Sequence, residues 1–368
     1  MKPSLPFNPS SLLAVTVLFS AITTTGLGQT QPASLPPVSA EKAVPDEVAT
    51  GLMHVPIYNF AVHNVAFSPD GKLVATGDGN GVVRLWEAGT GKLRHEIKAH
   101  KKWAFTVAWA KDGKSFVTGG WDDLIQRFEM ADLTKPAKTF TGHDGDVHAV
   151  VITSNERQII SAGDDKQIMV WDIASGKSAR QWPAHEKAIP TLALSPDGKT
   201  LASGSRDHAI KFWNPKTGEL RDTLIGHTED VMSVRFSPDG KLLASASYDT
   251  TVRLWNAENG KAIKILHGHT NRAFGVSFSP NGKRLASAGD STVRLWNVQD
   301  GAELKVISFG GVIATGQENV TEHISSVAFS PDGKLLAAGS TTGRAFLVSP
   351  ETGNVVHQIS EPLPKQKE

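Results

Sequence analysis

The 368-residue chain carries 38 Lys and Arg against 37 Asp and Glu, and no cysteine. A charge balance this close to neutral excludes a polycationic nucleic-acid binder and a polybasic membrane-surface protein, and the missing thiols exclude disulfides, a cysteine nucleophile and cysteine zinc sites. An apolar content of 39% with 20% charge describes a folded chain, and 34 Gly point to many tight turns between short strands.

The first segment reads as an export signal. Lys2 gives a positive start, Leu12 to Ile22 is apolar apart from Thr16 and Ser20, and Gly26-Leu27-Gly28 supplies small residues at a cleavage site. The apolar run is about 11 residues, short of the ~20 that span a bilayer. Residues 1–28 are therefore expected to be a signal peptide cleaved before Gln29, leaving no membrane span and a periplasmic or secreted product. Residues 29–50 hold four Pro and no helical or strand period, and are expected to be an extended linker.

From residue 51 one pattern recurs. The turn Ser-Pro-Asp-Gly-Lys stands at 68–72, 195–199, 237–241 and 330–334, with Ser-Pro-Asn-Gly-Lys at 279–283. Ala110 to Lys114 and Thr153 to Glu156 hold the same phase. An aromatic follows each turn, at Trp86, Phe128, Trp171, Trp213, Trp255 and Trp296, spaced 42, 43, 42, 42 and 41 residues apart; Val348 takes the slot in a seventh copy, 52 residues on. A period of ~40–45 marks a repeat architecture. Each copy reads like the fifth: V-M-S-V-R-F, turn, L-L-A-S-A-S, turn, V-R-L-W, then G-K-A-I-K-I-L. Four short β-rich segments per copy predict a four-stranded antiparallel blade, and seven copies predict an all-β, seven-bladed β-propeller over 51–360. Gly353 to Ile359 is expected to form the outer strand of blade seven, with Leu52 to Ile57 as the competing segment. Residues 361–368 are expected to be a disordered tail.

Gly-His or Ala-His pairs precede five copies, at His100, His143, His185, His227 and His269, each ten residues before its turn, and Trp171-Asp172 ends the third. With these residues the sequence resembles the WD-repeat family over roughly 51–360. The resemblance implies a buried polar chain of His, Ser or Thr, Asp and Trp in each blade. The matching sets are His143, Ser161, Asp165 and Trp171; His185, Ser203, Asp207 and Trp213; and His227, Ser245, Asp249 and Trp255. His269, Ser287, Asp290 and Trp296 match with one residue deleted, and His100, Thr118 and Asp122 match with Phe128 in the Trp slot. Blade one departs from the pattern with Tyr58 in the His slot and Asn80 in the Asp slot, and blade seven, with Val320, Ala338, Thr342 and Val348, is expected to lack the network. Buried polar groups that satisfy one another are scaffold, not a hydrolase's Ser, His and Asp.

Catalytic motifs are missing. Gly113-Lys114-Ser115 and Gly198-Lys199-Thr200 lack the upstream glycine of a phosphate loop, having Ala108 and Ala193 there, and no G-x-S-x-G or H-E-x-x-H occurs. Asp144, Asp146, Asp164 and Asp165 read as solvated loop carboxylates before a calcium site. Asn319-Val320-Thr321 is a glycosylation sequon.

The two mouths of the ring differ. One carries the Asp- and Lys-bearing turns and reads as a solvated face. The other is expected to be ringed by the third and fifth residues after each His slot and the residue before each Asp. These positions hold Trp103, Phe105 and Trp121 in blade two, Asp146, His148 and Asp164 in blade three, and Ala188, Pro190 and Arg206 in blade four. They hold Asp230, Met232 and Tyr248 in blade five and Arg272, Phe274 and Gly289 in blade six. Blade seven gives His323, Ser325 and Thr341, and blade one Ala61, His63 and Gly79. Aromatics, Met and Arg are the residue types of interface hot spots. Trp103, Phe105, Trp121, Arg206, Met232, Tyr248, Arg272 and Phe274 are the expected partner-binding residues, with Trp103, Trp121 and Tyr248 exposed and Trp109 and Trp182 packed between blades. The expected function is a non-catalytic, monomeric scaffold for a protein or peptide, with no cofactor, no metal and no nucleic acid. The alternative, an exported lactonase-like or quinone-dependent propeller enzyme, would rest on the blade-three carboxylates and His63, His148 and His323.

Overall fold

The computed structural model describes residues 61–310, 312–314 and 319–359, all of them in strands, turns and loops. The readings made of 1–28, 29–50, Leu52 to Ile57, Tyr58 and 361–368 lie outside these residues. Among the described residues no helix is long and apolar enough to cross a membrane.

Seven antiparallel four-stranded sheets follow one another along the chain, each in simple up-and-down order. Blade one runs Val62–Phe67, Leu73–Asp78, Val82–Glu87 and Leu93–Lys98. Blade seven runs Ile324–Phe329, Leu336–Ser340, Ala345–Val348 and Val355–Gln358. The last strand pairs Val355 with Val348 and Gln358 with Phe346, so the C-terminal segment completes blade seven as expected. One element was not anticipated. Val312–Ala314 pairs with Asn319–Thr321 in a small hairpin between blades six and seven, which accounts for the 52-residue spacing from Trp296 to Val348. The sequon lies on its second strand.

Each blade is amphipathic on both faces, and its neighbours supply the cover. The buried apolar residues fall into seven clusters, and each joins two adjacent blades. Phe212 and Leu224 of blade four, for example, meet Val234, Leu243 and Trp255 of blade five. Val65 and Trp86 of blade one meet Ala337 and Leu347 of blade seven, so the ring closes through the same kind of seam. Ser325 Oγ donates to Val62 O at 2.5 Å across that seam. Second strands such as Leu242–Ser247 are buried at every position but the first, whereas outer strands such as Leu93–Lys98 bury only Ile97.

The recurrent turn has a local cause. In blade five Ser237 Oγ donates to Asp239 Oδ1 at 2.6 Å and accepts from Leu242 N at 3.0 Å, while Lys241 N donates to Asp239 Oδ1 at 3.0 Å. Gly240 then takes φ of 72°, a left-handed conformation that glycine adopts without steric cost.

The polar chain forms as the resemblance implies. Trp171 Nε1 donates to Ser161 Oγ at 2.7 Å, Ser161 Oγ meets His143 Nε2 at 2.6 Å, and His143 Nδ1 meets Asp165 Oδ2 at 2.7 Å. Indole only donates and carboxylate only accepts, so one neutral histidine tautomer satisfies every atom in the chain. Blades four and five repeat these bonds. In blade six the deletion removes the residue that takes positive φ after the Asp. Asp290 itself moves to φ 30°, and its bond to His269 lengthens to 3.2 Å. In blade two Phe128 stacks on Phe116 at 5.4 Å in place of the indole bond.

Blade seven corrects the sequence reading, and blade one uses the same device: the network is substituted, not absent. Asp78, two residues before the usual Asp position, accepts from Asn80 N, Val82 N and the Arg84 guanidinium, and Thr76 Oγ1 accepts from Trp86 Nε1 at 2.9 Å. In blade seven the fully buried Glu322 accepts from Ser340 Oγ at 2.7 Å, Thr342 Oγ1 at 2.9 Å and Arg344 Nε at 2.8 Å. A carboxylate from a different strand position does the same job, because what folding requires is a buried acceptor with all its donors present.

Candidate functional site

The mouth opposite the Ser-Pro-Asp-Gly-Lys turns is built by backbone pairing. In blade two Trp121 N donates to Trp103 O at 3.0 Å, in blade three Asp164 N to Asp146 O at 3.0 Å, and in blade four Arg206 N to Ala188 O at 3.0 Å. Tyr248 N bonds Asp230 O at 2.9 Å and Thr341 N bonds His323 O at 2.9 Å. The residue before each Asp and the third after each His slot are thus held together by one hydrogen bond. The deletion in blade six shifts the pair to Asp290 and Arg272.

The expected binding residues separate into two sets. In the first, Trp103 lies between His63 at 4.3 Å and Trp121 at 4.1 Å, with near-parallel rings. Phe105 packs on His63 at 5.2 Å and meets the edge of His148 at 4.8 Å. This array crosses blades one, two and three. In the second, Tyr248 meets Phe274 edge-on at 5.3 Å, and the Arg272 guanidinium lies 4.4 Å over the Tyr248 ring. Phe274 reaches His323 at 6.4 Å. Between the sets, Arg206 Nε stands 3.8 Å from Asp230 Oδ2. Met232 is half-buried at the same inner-strand position as Phe105 and Phe274.

The exposure expected of Trp103, Trp121 and Tyr248 is corrected. All three are half-buried, because they cover one another and their neighbours' rings. Of the eight residues, Arg272 alone is exposed. Trp109 and Trp182 are half-buried and bridge blades as read: Trp109 Nε1 donates to Ala66 O at 3.3 Å, and Trp182 packs against Trp213 and the blade-four core.

Electrostatics set the aromatic array apart. Burial, with the nearby His148, lowers the His63 pKa to about 3, so the ring is neutral at pH 7. His63 Nε2, Trp121 Nε1 and His148 Nδ1 are buried without a hydrogen-bond partner. The other His148 nitrogen, Nε2, bonds Asp164 at 2.8 Å. Burial opposes ionisation of Asp164, but this bond prevails and holds its carboxyl below the usual range. Burial and the Asp164 charge push Asp146 up to about 6. The blade-three carboxylates therefore divide: Asp165 belongs to His143, Asp164 to His148, and Asp144 is exposed. Potential ligand atoms of His208, Glu229 and Asp230 lie within 4.8 Å of one another. With Arg206 beside Asp230, that group reads as an ion-pair cluster on the rim. Sequence reasoning passed over Glu229 and His208, which no repeat position singles out, and assigned His63 and His148 only to the alternative enzymatic reading.

Seven four-stranded blades, an Asp–His–Ser–Trp chain within them and a mouth paired through the same loops define a WD-type repeat propeller. Residues 134–172, 176–214, 218–256 and 260–297 match the family profile "WD domain, G-beta repeat", and 55–112 and 306–364 match that of the "Anaphase-promoting complex subunit 4 WD40 domain". The chain belongs to the WD-repeat family. It is similar to "Cell division cycle 20.1, cofactor of APC complex" of Arabidopsis thaliana, at 31% identity over 33% of this chain and 27% of that protein. It is similar to "WD repeat-containing protein SL1-17" of Schistosoma mansoni, at 32% identity over 31% of this chain and 37% of that protein. A guanine nucleotide-binding protein subunit beta of Oryza sativa subsp. indica matches at 27% over 32% of each. The chain thus spans only about a third of the length of these relatives.

Proposed function

We propose that this chain is an exported, non-catalytic interaction module whose propeller docks a protein or peptide across the aromatic mouth. The observation that carries this reading is the His63–Trp103–Trp121 array. It is a stack of half-buried rings at the mouth, with two of its ring nitrogens, His63 Nε2 and Trp121 Nε1, left unpaired. Core aromatics of this size normally satisfy their polar atoms, and an unpaired buried donor costs roughly 1–3 kcal/mol. A partner strand or loop laid over the mouth would cover the ring faces that remain exposed. Arg272, exposed and stacked on Tyr248, adds a planar donor for a partner carboxylate on the far side of the mouth. Similarity to a subunit beta and to a cofactor of a complex, both named for assemblies, supports docking over catalysis.

Export rests on the amino-terminal 28 residues. N-terminal sequencing of protein recovered from the extracytoplasmic fraction tests it, with Gln29 as the expected first residue. Docking is tested by affinity capture from that fraction with wild-type chain and with Trp121→Ala. Removing a hot-spot aromatic weakens binding by about 2 kcal/mol or more. Asp239→Ala, on the opposite mouth, is expected to leave capture unchanged. Equal losses from the two variants would remove the basis for this site.

A further inference from the structure

The opposite mouth holds a feature that neither the repeat nor partner docking accounts for. The residue two before each recurrent turn is small in six blades: Ala66, Ala108, Val151, Ala193, Ser277 and Ala328. In blade five it is Arg235, on the strand Val231–Phe236. Its side chain enters a cavity of about 280 Å³ at the centre of the ring, lined by the inner strands of blades one, two, five, six and seven. The cavity lies at the end of the channel bounded by Pro280 and Pro331 of the recurrent turns.

Arg235 has no carboxylate partner. Its one hydrogen bond within the protein runs from Nη1 to the adjacent Val234 O at 2.8 Å. The side chain is exposed, but to the channel and not to the outer surface, and protein surrounds it closely enough that burial lowers its pKa. Arginines on or just before the third strands are paired: Arg84 with Asp78, Arg253 with Asp249, Arg294 with Glu303 and Arg344 with Glu322. Of the three other polar side chains on the cavity wall, Ser330 donates to Asp332 Oδ1 at 2.7 Å and the other two keep free donors. Asn64 uses its Oδ1 to accept from Val107 N at 3.3 Å, which leaves its NH2 free. Ser277 Oγ accepts from Phe329 N at 3.1 Å, which leaves its O–H free. Phe67, Phe278 and Phe329 give the wall its apolar part, where the inter-blade core reaches the cavity.

From this geometry we propose that the turn-side end of the channel is a binding site for an organic monocarboxylate, held by the Arg235 guanidinium with Asn64 and Ser277, its apolar body against the phenylalanines. A guanidinium fork matches a carboxylate with two parallel N–H···O bonds. One positive charge balances one negative charge; a phosphate dianion would leave one charge uncompensated. The volume lies just below the roughly 300–1,000 Å³ of small-molecule sites, which suits a small acid or a single chain-terminal residue and not a nucleotide. The acid can be free or the C-terminus of a polypeptide.

Calorimetric titration of the full chain tests the site with two pairs of probes. Benzoate against benzamide represents the free acid, and N-acetylphenylalanine against its amide represents a chain terminus. The acids are expected to bind saturably, and at least about tenfold more tightly than the amides, the scale of a charge-assisted fork. Arg235→Gln is expected to lower acid affinity at least about tenfold, and Arg235→Lys to lower it less. Trp121→Ala, on the other mouth, leaves acid affinity unchanged and so separates this site from partner docking. Binding of benzoate assigns the free acid; binding of N-acetylphenylalanine alone assigns the terminus. Equal binding of acid and amide, no saturable binding of either acid, displacement by inorganic phosphate at equal concentration, or an Arg235→Gln variant that binds like wild type would each overturn the proposal. The acid–amide comparison needs no variant, so it stands even if the substitutions perturb folding.

Discussion

Replacing Asp249 with Ala should cost about 1.5–3 kcal/mol of stability, the scale of a hydrogen bond to a charged group. Asp249 accepts from His227 Nδ1 at 2.7 Å, Thr251 N at 2.9 Å, Thr251 Oγ1 at 2.7 Å and Thr228 N at 3.2 Å. Thr228 is exposed and water replaces its partner. The His227 side chain is 1% exposed, so its Nδ1–H is left with only a long contact to Thr251 Oγ1 at 3.4 Å, and this one atom carries most of the loss. The effect depends on pH in a defined direction. Burial opposes ionisation of Asp249, but His227 and Thr251 more than offset it and hold its pKa well below the unfolded value. The contribution is therefore complete above the unfolded pKa of about 4 and is lost as pH falls through the folded value. At pH 3 the unfolded chain already binds that proton, and the gap between wild type and variant should narrow by about 1 kcal/mol. Urea unfolding at pH 7 and pH 3 measures both quantities. The control, Asp239→Ala in the exposed turn, should cost under about 1 kcal/mol. A pH 7 loss no larger than the control's, or a gap that does not change with pH, would refute the claim that the chain is buried and ionised.

Glu322→Ala should be more severe, about 3–5 kcal/mol by thermal or urea unfolding, because it strands Arg344 beside Ser340 and Thr342; a loss below ~1 kcal/mol would show blade seven does not depend on its substitute network. Deleting residues 29–57 should leave far-UV circular dichroism and cooperative unfolding intact, since all seven four-stranded sheets lie within 62–358; an unfolded product would mean the amino-terminal segment closes the ring. His63, with its folded pKa lowered to about 3, binds its proton in the unfolded chain first, so stability is complete above the unfolded pKa and declines as pH falls from about 6.5 towards 3. His63→Phe should flatten that decline, read as melting temperature between about pH 7 and 4; an unchanged slope would place the titration elsewhere.

The blade plan was legible because it repeats. A turn that needs an acceptor at its third residue and positive φ at its fourth leaves nearly the same letters wherever it occurs, glycine in six copies and Glu156 at φ 55° in blade three, and seven phases of it specify seven sheets. The mouth positions were legible for the same reason, since the backbone bond from Trp121 to Trp103 recurs as Tyr248 to Asp230. What surrounds those positions was not. Trp103 is half-buried because His63, 40 residues earlier on another blade, lies across it. Such contacts depend on side-chain direction across a seam, which a within-repeat alignment does not contain. The substitutes in blades one and seven were hidden differently: Asp78 and Glu322 stand two residues from the slots where the repeat places its polar atoms. The signal available was an acidic residue close to an otherwise apolar seam.

Seven copies of one blade also allow a comparison that a single-copy fold does not. All blades meet the same packing demands, so a departure from the shared pattern is either balanced inside the protein or it is not. Asp78 is balanced by Arg84, Glu322 by Arg344, Phe128 by Phe116, and the deletion before Asp290 by a change in its own backbone. These departures have folding explanations. Trp121, with an unpaired buried Nε1, and Arg235, with no carboxylate and a cavity before it, are not balanced. The first faces one mouth of the ring and the second faces the other. Trp121 Nε1 is enclosed without an acceptor and opposes folding, and Arg235 spends no ion pair on the fold although its side chain reaches the channel. Under the two proposals made above, the ring faces around Trp121 and the Arg235 guanidinium gain their contacts from outside the chain, a polypeptide surface at one end of the channel and a carboxylate at the other.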